Sequence, residues 1–216
     1  MKDFIDKLWE ELNGYNMSTI YFFHVDDRIL TYDFTPTYSQ KPYTLAWITF
    51  NFNINKVVET LKSALNLKNT THSYYIMCDN AFVLLITAFE SYLASTYNNI
   101  RSDLGKETIN PKNLYFQKPD KLKEKYKEIN IDIAHLDEKL WTKLFSTSNQ
   151  ARGLIELRNI IVHNGWKTFK NKSDMLNHIL VKESIITVVN FIKILEDVVI
   201  KDYPNLNNLK RIKGNN

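Results

Sequence analysis

Residues 158–166 read RNIIVHNGW, which places a guanidinium, a carboxamide and an imidazole within six positions at Arg158, Asn159 and His163. A guanidinium fork fits the oxygens of a phosphate, and an imidazole, with a reference pKa of about 6.5, holds or releases a proton near neutrality. The preceding residues carry helical periodicity, which predicts a helix over 149–163. At about 100° per residue, Leu154, Leu157, Ile161, Val162, Ile155 and Ala151 share one arc, with Arg158 near its middle. Arg152, Glu156, Asn159 and His163 occupy the other arc. On one regular helix Arg158 and His163 diverge by about 140°, so a single chain is not expected to bring them into contact.

Three readings fit this geometry. In the first, Arg158 pairs with a buried carboxylate such as Glu90, His163 serves the carbonyl end of the helix and Asn164-Gly165 stops it. Taken residue by residue, that is the default. In the second, the arc holding Arg158 is a dimer interface, and two copies bring Arg and His together across a two-fold axis. In the third, Arg158 waits for a phosphate within the monomer.

The elements that must position these residues follow from hydrophobic spacing. Phe4, Ile5, Leu8, Trp9 and Leu12 predict a short helix over 4–12. Residues 20–34 and 44–53 are aromatic and β-branched or alternating, which predicts three antiparallel strands, with Asp26-Asp27 in a hairpin turn and 35–43 as a loop. Asn53 or Asn55 is expected to cap a helix reaching about Leu67. The longest helix is expected from Ser73 to about Ile100 and is apolar nearly all round, so that Asp79 and Glu90 inside it need cationic or donor partners. Residues 101–120 read as a loop and 121–128 as a charged, solvated helix, weak evidence for RNA. Helices at about 136–147, 149–163 and 182–202 complete the pattern. The fold class is therefore mainly α: an antiparallel helical bundle over 71–203, an N-terminal extension over 1–70 with a short helix and a small antiparallel β element, and a loose tail over 204–216.

Composition narrows the function classes. With 44% hydrophobic and 13% aromatic residues the 216-residue chain can fill a core. Its single cysteine, Cys78, excludes an intramolecular disulfide and a cysteine-based zinc cluster. The charged start lacks a signal-peptide core and no long uncharged apolar run is evident, so a cytoplasmic protein without a membrane span is expected. A net charge of +4 tolerates a polyanion without demanding one. Only five arginines stand beside 23 lysines, which singles out each arginine for attention. His24, His72, His135 and His178 do not pair at metal spacing, and no glycine-rich phosphate loop is present, so neither metal nor cofactor is expected. Trp47 and Trp141 are expected in the core; Trp166 is retained as an RNA contact.

The string from Arg158 to His163 resembles the R-N-x-x-x-H signature of the HEPN superfamily (higher eukaryotes and prokaryotes nucleotide-binding domains), with the hydrophobic filling and following Asn-Gly found in many bacterial members. The likeness extends in helical layout over about residues 70–203, including AFESYLASTY on the long helix. It implies an all-helical domain dimerising with its motifs face to face, and a metal-independent endoribonuclease of the kind found in toxin pairs, antiviral defence and RNA processing. Internal attack by a 2′-hydroxyl needs a proton acceptor, a proton donor for the leaving 5′-oxygen and positive charge on the crowded phosphate. The resemblance thus assigns His163 to proton transfer, Arg158 to the phosphate and Asn159 to orienting one of them. Arg152 and Trp166 are expected against the substrate, with Glu90, Glu156 and Asn164 in support. RNA, a second copy of the chain and an antitoxin or other protein are the implied partners. The chain departs from some members where Ala94 follows Glu90 by four residues, and from nucleotidyltransferase-modified toxins where Gly165 stands two places after His163. The rival class is a HEPN-fold nucleotide-binding or protein-interaction module without catalysis.

Overall fold

A computed structural model describes residues 21–25, 29–33, 43–116, 118–148, 151–164 and 176–206. Two compact units divide at Tyr43 and Thr44. In the first unit, β1 (Tyr21–Val25) and β2 (Ile29–Asp33) pair antiparallel with Val25 opposite Ile29. The expected helix over 4–12 and the Asp26-Asp27 turn lie outside the described residues.

The second unit is mainly helical. Its helices are α1 (Leu45–Leu65), α2 (His72–Asp103), α3 (Pro119–Lys127), α4 (Glu138–Phe145), α5 (Leu154–Asn164) and α6 (His178–Asp202). The third strand expected over 44–53 is instead the start of α1. Trp47, Phe50, Ile54, Val57, Val58 and Leu61 are buried at helical spacing, and the run passes straight through Asn53 and Asn55. Thr44 caps this helix, its Oγ1 accepting from the Trp47 backbone N–H at 3.2 Å.

The start of α1 is tied to α2 and α6 by one buried carboxylate. Glu196 of α6 is 5% exposed. Its Oε1 accepts the Thr44 backbone N–H at 2.5 Å, and its Oε2 accepts the hydroxyls of Thr44 at 3.0 Å and Tyr92 at 2.7 Å. Burial pushes the Glu196 carboxyl above its ordinary range, while the bonds from Tyr92 and Thr44 pull the other way.

Register contacts show how the long helices run. Tyr74 meets His178 through a 2.6 Å hydroxyl–Nδ1 contact, and Tyr92 meets Glu196 at the same sequence offset of 104 residues. Helices α2 and α6 are therefore parallel, which corrects the expectation of an antiparallel bundle. Helix α1, joined to α2 by a short turn, lies antiparallel to it. Between α2, α4 and α6, the rings of Phe89, Phe145, Trp141 and Phe191 form one aromatic cluster, Trp141 and Phe145 stacked at 4.2 Å.

By length and apolarity α2 could cross a membrane, contrary to the expectation from the sequence, but half of its apolar window is buried inside the protein. It is not buried all round, since Ile76 and Leu84 are exposed on one side. Nor are residues 204–206 loose: they form a 3₁₀ turn with Leu206 buried, and the Tyr203 hydroxyl beside them donates to the Ile129 carbonyl.

Replacing Glu196 by Leu strands the Thr44 N–H and the Tyr92 hydroxyl. The expected loss is about 3 kcal/mol or more, against about 1 kcal/mol for Tyr92→Phe. Urea unfolding followed by far-UV circular dichroism measures both.

Candidate functional site

The motif helix begins later than its periodicity predicts. Thr147–Ser148 (β3) and Ala151–Arg152 (β4) pair antiparallel, and α5 starts only at Leu154. Gly153 explains the break. A Cβ there would stand 2.6 Å from the Ser146 backbone nitrogen and 2.7 Å from the Leu144 carbonyl oxygen, so only glycine lets the chain pass so close to the end of α4. The Gly153 N–H donates to the Ser146 carbonyl at 2.8 Å, and its own carbonyl accepts the first helical bond from Leu157 at 3.0 Å. Arg152 is consequently on β4 rather than on the helix. It is exposed, with its Nε 3.9 Å from Glu156 Oε1.

Arg158 reaches back to α2. Its Nη2–H donates to Glu90 Oε1 as an ion pair in which both side chains are 16% exposed. Burial raises the Glu90 carboxyl above its ordinary range, and the charge and hydrogen bond of Arg158 oppose that shift. Desolvation is the larger effect. This is the partner that a cation on the apolar arc and an acid inside α2 both require.

His163 lies on the opposite side of α5 and is exposed. The structure therefore joins Arg158 to Glu90 and not to its own His163, as their divergence of about 140° demands. Asn159 is half-buried. Asn164 is the last residue of α5, while Gly165 and Trp166 lie outside the described residues. Arg158 Nε and Glu156 Oε2 are buried and have no hydrogen-bond partner among the described residues.

The apolar arc is only partly covered. Ile155 and Ile161 are buried, yet Val162 is 54% exposed. Val162 and Ile161 line a groove of about 610 Å³ with Met77, Val83, Leu84 and Asp79 of α2. Sequence reasoning did not find this groove. The signal was available in Met77, Asn80 and Leu84, whose i, i+3, i+7 spacing puts them on one side of α2.

Among the described residues no group of His, Cys, Asp and Glu could hold a metal ion. His135 instead sits 2.9 Å from Asp132, and His178 is joined to Tyr74. No protein-family model matches the chain, and no curated protein or solved structure proves similar to it.

Asp79 in the groove gives the site a pH signature. Burial is the main cause that lifts its carboxyl from 3.8 to about 6, with His72 opposing. The folded chain therefore holds this proton more tightly than the unfolded one, so its contribution to stability falls as pH rises from about 4 to about 6. Asp79→Asn is expected to stabilise the protein at neutral pH by on the order of 1 kcal/mol, discounted for partial exposure, and to have little effect near pH 4. Thermal unfolding across that pH range checks the sign.

Proposed function

We propose that the chain is a HEPN-type, metal-independent endoribonuclease whose active site is completed by a second copy of itself. The observation that carries this reading is the R-N-x-x-x-H string on a helix that presents its histidine to solvent. Three further features support it. Arg158 is anchored by Glu90 on the side away from its own His163. Two buried polar atoms on the motif helix lack partners among the described residues, and such atoms ordinarily find one. Exposed Val162 and Leu84 leave apolar surface beside the motif, of the kind that subunit contacts cover.

In the proposed reaction a base removes the 2′-hydroxyl proton, and the oxygen attacks the adjacent phosphorus. The bond from phosphorus to the 5′-oxygen breaks as that oxygen receives a proton. The products are a 2′,3′-cyclic phosphate and a 5′-hydroxyl end. At each of two symmetry-related sites His163 of one copy takes part in proton transfer, Arg158 of the other steadies the charge on the phosphoryl oxygens, and Asn159 orients one of them. Arg152 and Trp166 are assigned to the flanking RNA. Defence or stress response is the setting such an activity suits, and an antitoxin or other protein partner would restrain it.

The Arg158–Glu90 pair also favours a second reading, a HEPN-fold module that binds a nucleotide or protein without catalysis. A guanidinium already neutralised by a carboxylate is less free to draw in a phosphate.

Purified protein incubated with RNA and excess chelator is expected to yield fragments ending in 2′,3′-cyclic phosphate. His163→Ala should lower that rate at least about 100-fold without moving the melting temperature. Cleavage that survives His163→Ala would remove the site assignment, and nucleotide binding by a chain inert towards RNA would favour the module.

A further inference from the structure

One short segment carries as much net positive charge as the whole chain. Residues 112–127 hold six lysines against Asp120 and Glu124, a net charge of +4, which equals the net charge of the whole chain. The remaining residues carry 22 charges of each sign and are neutral. From sequence, residues 101–120 read as a loop and 121–128 as a charged, solvated helix. The structure shows what surrounds each lysine.

Lys123 and Lys125 are engaged, 3.1 Å from Asp120 and 2.6 Å from Glu128 respectively. Lys112, Lys118 and Lys121 are exposed, and none forms an ion pair among the described residues. Between them stands Tyr115, 39% exposed. Its backbone is left-handed, with φ 54° and ψ 48°, which is uncommon for a bulky residue. Leu114 before it is buried and anchors the turn. Lys121 Nζ lies 4.9 Å above the Tyr115 ring.

Helix α3, whose first turn carries Lys121, packs on the stripe of α2 that Arg158 also meets. On α3, Tyr126 packs on Tyr97 at 5.6 Å and donates to the Leu93 carbonyl at 2.8 Å. Tyr97 follows Glu90 by seven residues, about two turns and about 10 Å along the same side of the helix. Helices α3 and α5 therefore abut one stripe of α2, with Arg158 at one end of it.

We infer that Lys112, Tyr115, Lys118 and Lys121 form a docking strip for single-stranded RNA. The ammonium groups take backbone phosphates, and the Tyr115 ring stacks on a base. Charge alone would serve an anionic membrane equally well. The exposed ring among the lysines favours a nucleobase, and an unstacked one, because a duplex keeps its base faces covered. The choice of RNA as ligand rests on the proposed nuclease reading.

The test uses the full chain and a short, unstructured 2′-O-methyl RNA, which 2′-hydroxyl attack cannot cleave, titrated by fluorescence anisotropy between about 50 and 200 mM salt. The combined Lys112→Gln, Lys118→Gln and Lys121→Gln variant is expected to make the slope of log affinity against log salt shallower by about 2. Tyr115→Ala should weaken binding about fivefold or more, with the slope unchanged and Tyr115→Phe restoring affinity. All these positions are exposed, so circular dichroism and melting temperature should match the parent. An unchanged slope and affinity in the lysine variant would overturn the strip, as would lysine-dependent binding of phosphatidylserine vesicles by a chain that ignores RNA. Cleavage is read separately: a chain that binds through the strip but cuts nothing retains the strip and refutes the nuclease, whereas one that cuts RNA with binding indifferent to the strip does the reverse.

Discussion

One ion pair constrains the helix that carries the candidate chemistry. Arg158 sits where α5 should be apolar, and Glu90 sits within the long, largely apolar α2. Either charge alone would be expensive to desolvate. Together they lock α5 onto α2 at one azimuth, and that azimuth turns His163 outward. The position of the histidine is thus a consequence of how the arginine is neutralised. An imidazole facing solvent, with its neighbouring cation turned aside, is the arrangement that the proposed two-chain site requires.

The same physics recurs on α6. Glu196 is another acid on an apolar helix, and it is satisfied by backbone and hydroxyl donors rather than by a cation. It gathers the start of α1 and the middle of α2 around one carboxylate, which fixes their register against the parallel α6. The two buried acids divide the work: Glu196 holds the long helices together, and Glu90 places the short helix that bears the motif. The aromatic cluster of Phe89, Trp141, Phe145 and Phe191 supplies the apolar burial around them.

Much of this was legible in the residues themselves. The extent of α2 and the end of α6 follow from hydrophobic periodicity, whereas α6 begins at His178, four residues before the expected start, with Asn177 as its cap; the demand of Arg158 for an acid such as Glu90 follows from the cost of an unpaired charge. Residues 44–53 were misleading because Ala46, Ile48, Phe50 and Phe52 alternate as a strand would, while the 3.6-residue pattern of Trp47, Phe50, Ile54 and Val57 runs through three asparagines that suggest a cap. The true cap at Thr44 depends on Glu196, 152 residues away, which no local pattern contains. The late start of α5 has a similar cause: Gly153 is required by the backbone of residues 144–146, a tertiary contact. The parallel course of α2 and α6 is set by the path of the intervening connection and leaves no mark on the periodicity of either helix. Nor does spacing alone say which lysines of residues 112–127 remain unpaired.

The proposed HEPN-type site rests on a short motif, an outward histidine and an arginine held away from it by its own chain, so two copies are needed to bring the groups to one phosphate. Subunit complementation tests that claim most directly. Arg158→Ala and His163→Ala chains, each inert alone, are co-expressed, and the mixed dimer is assayed for metal-independent RNA cleavage. The account predicts that activity returns, because one of the two sites then draws an intact arginine from one chain and an intact histidine from the other. A mixed dimer as inert as its parents would contradict it.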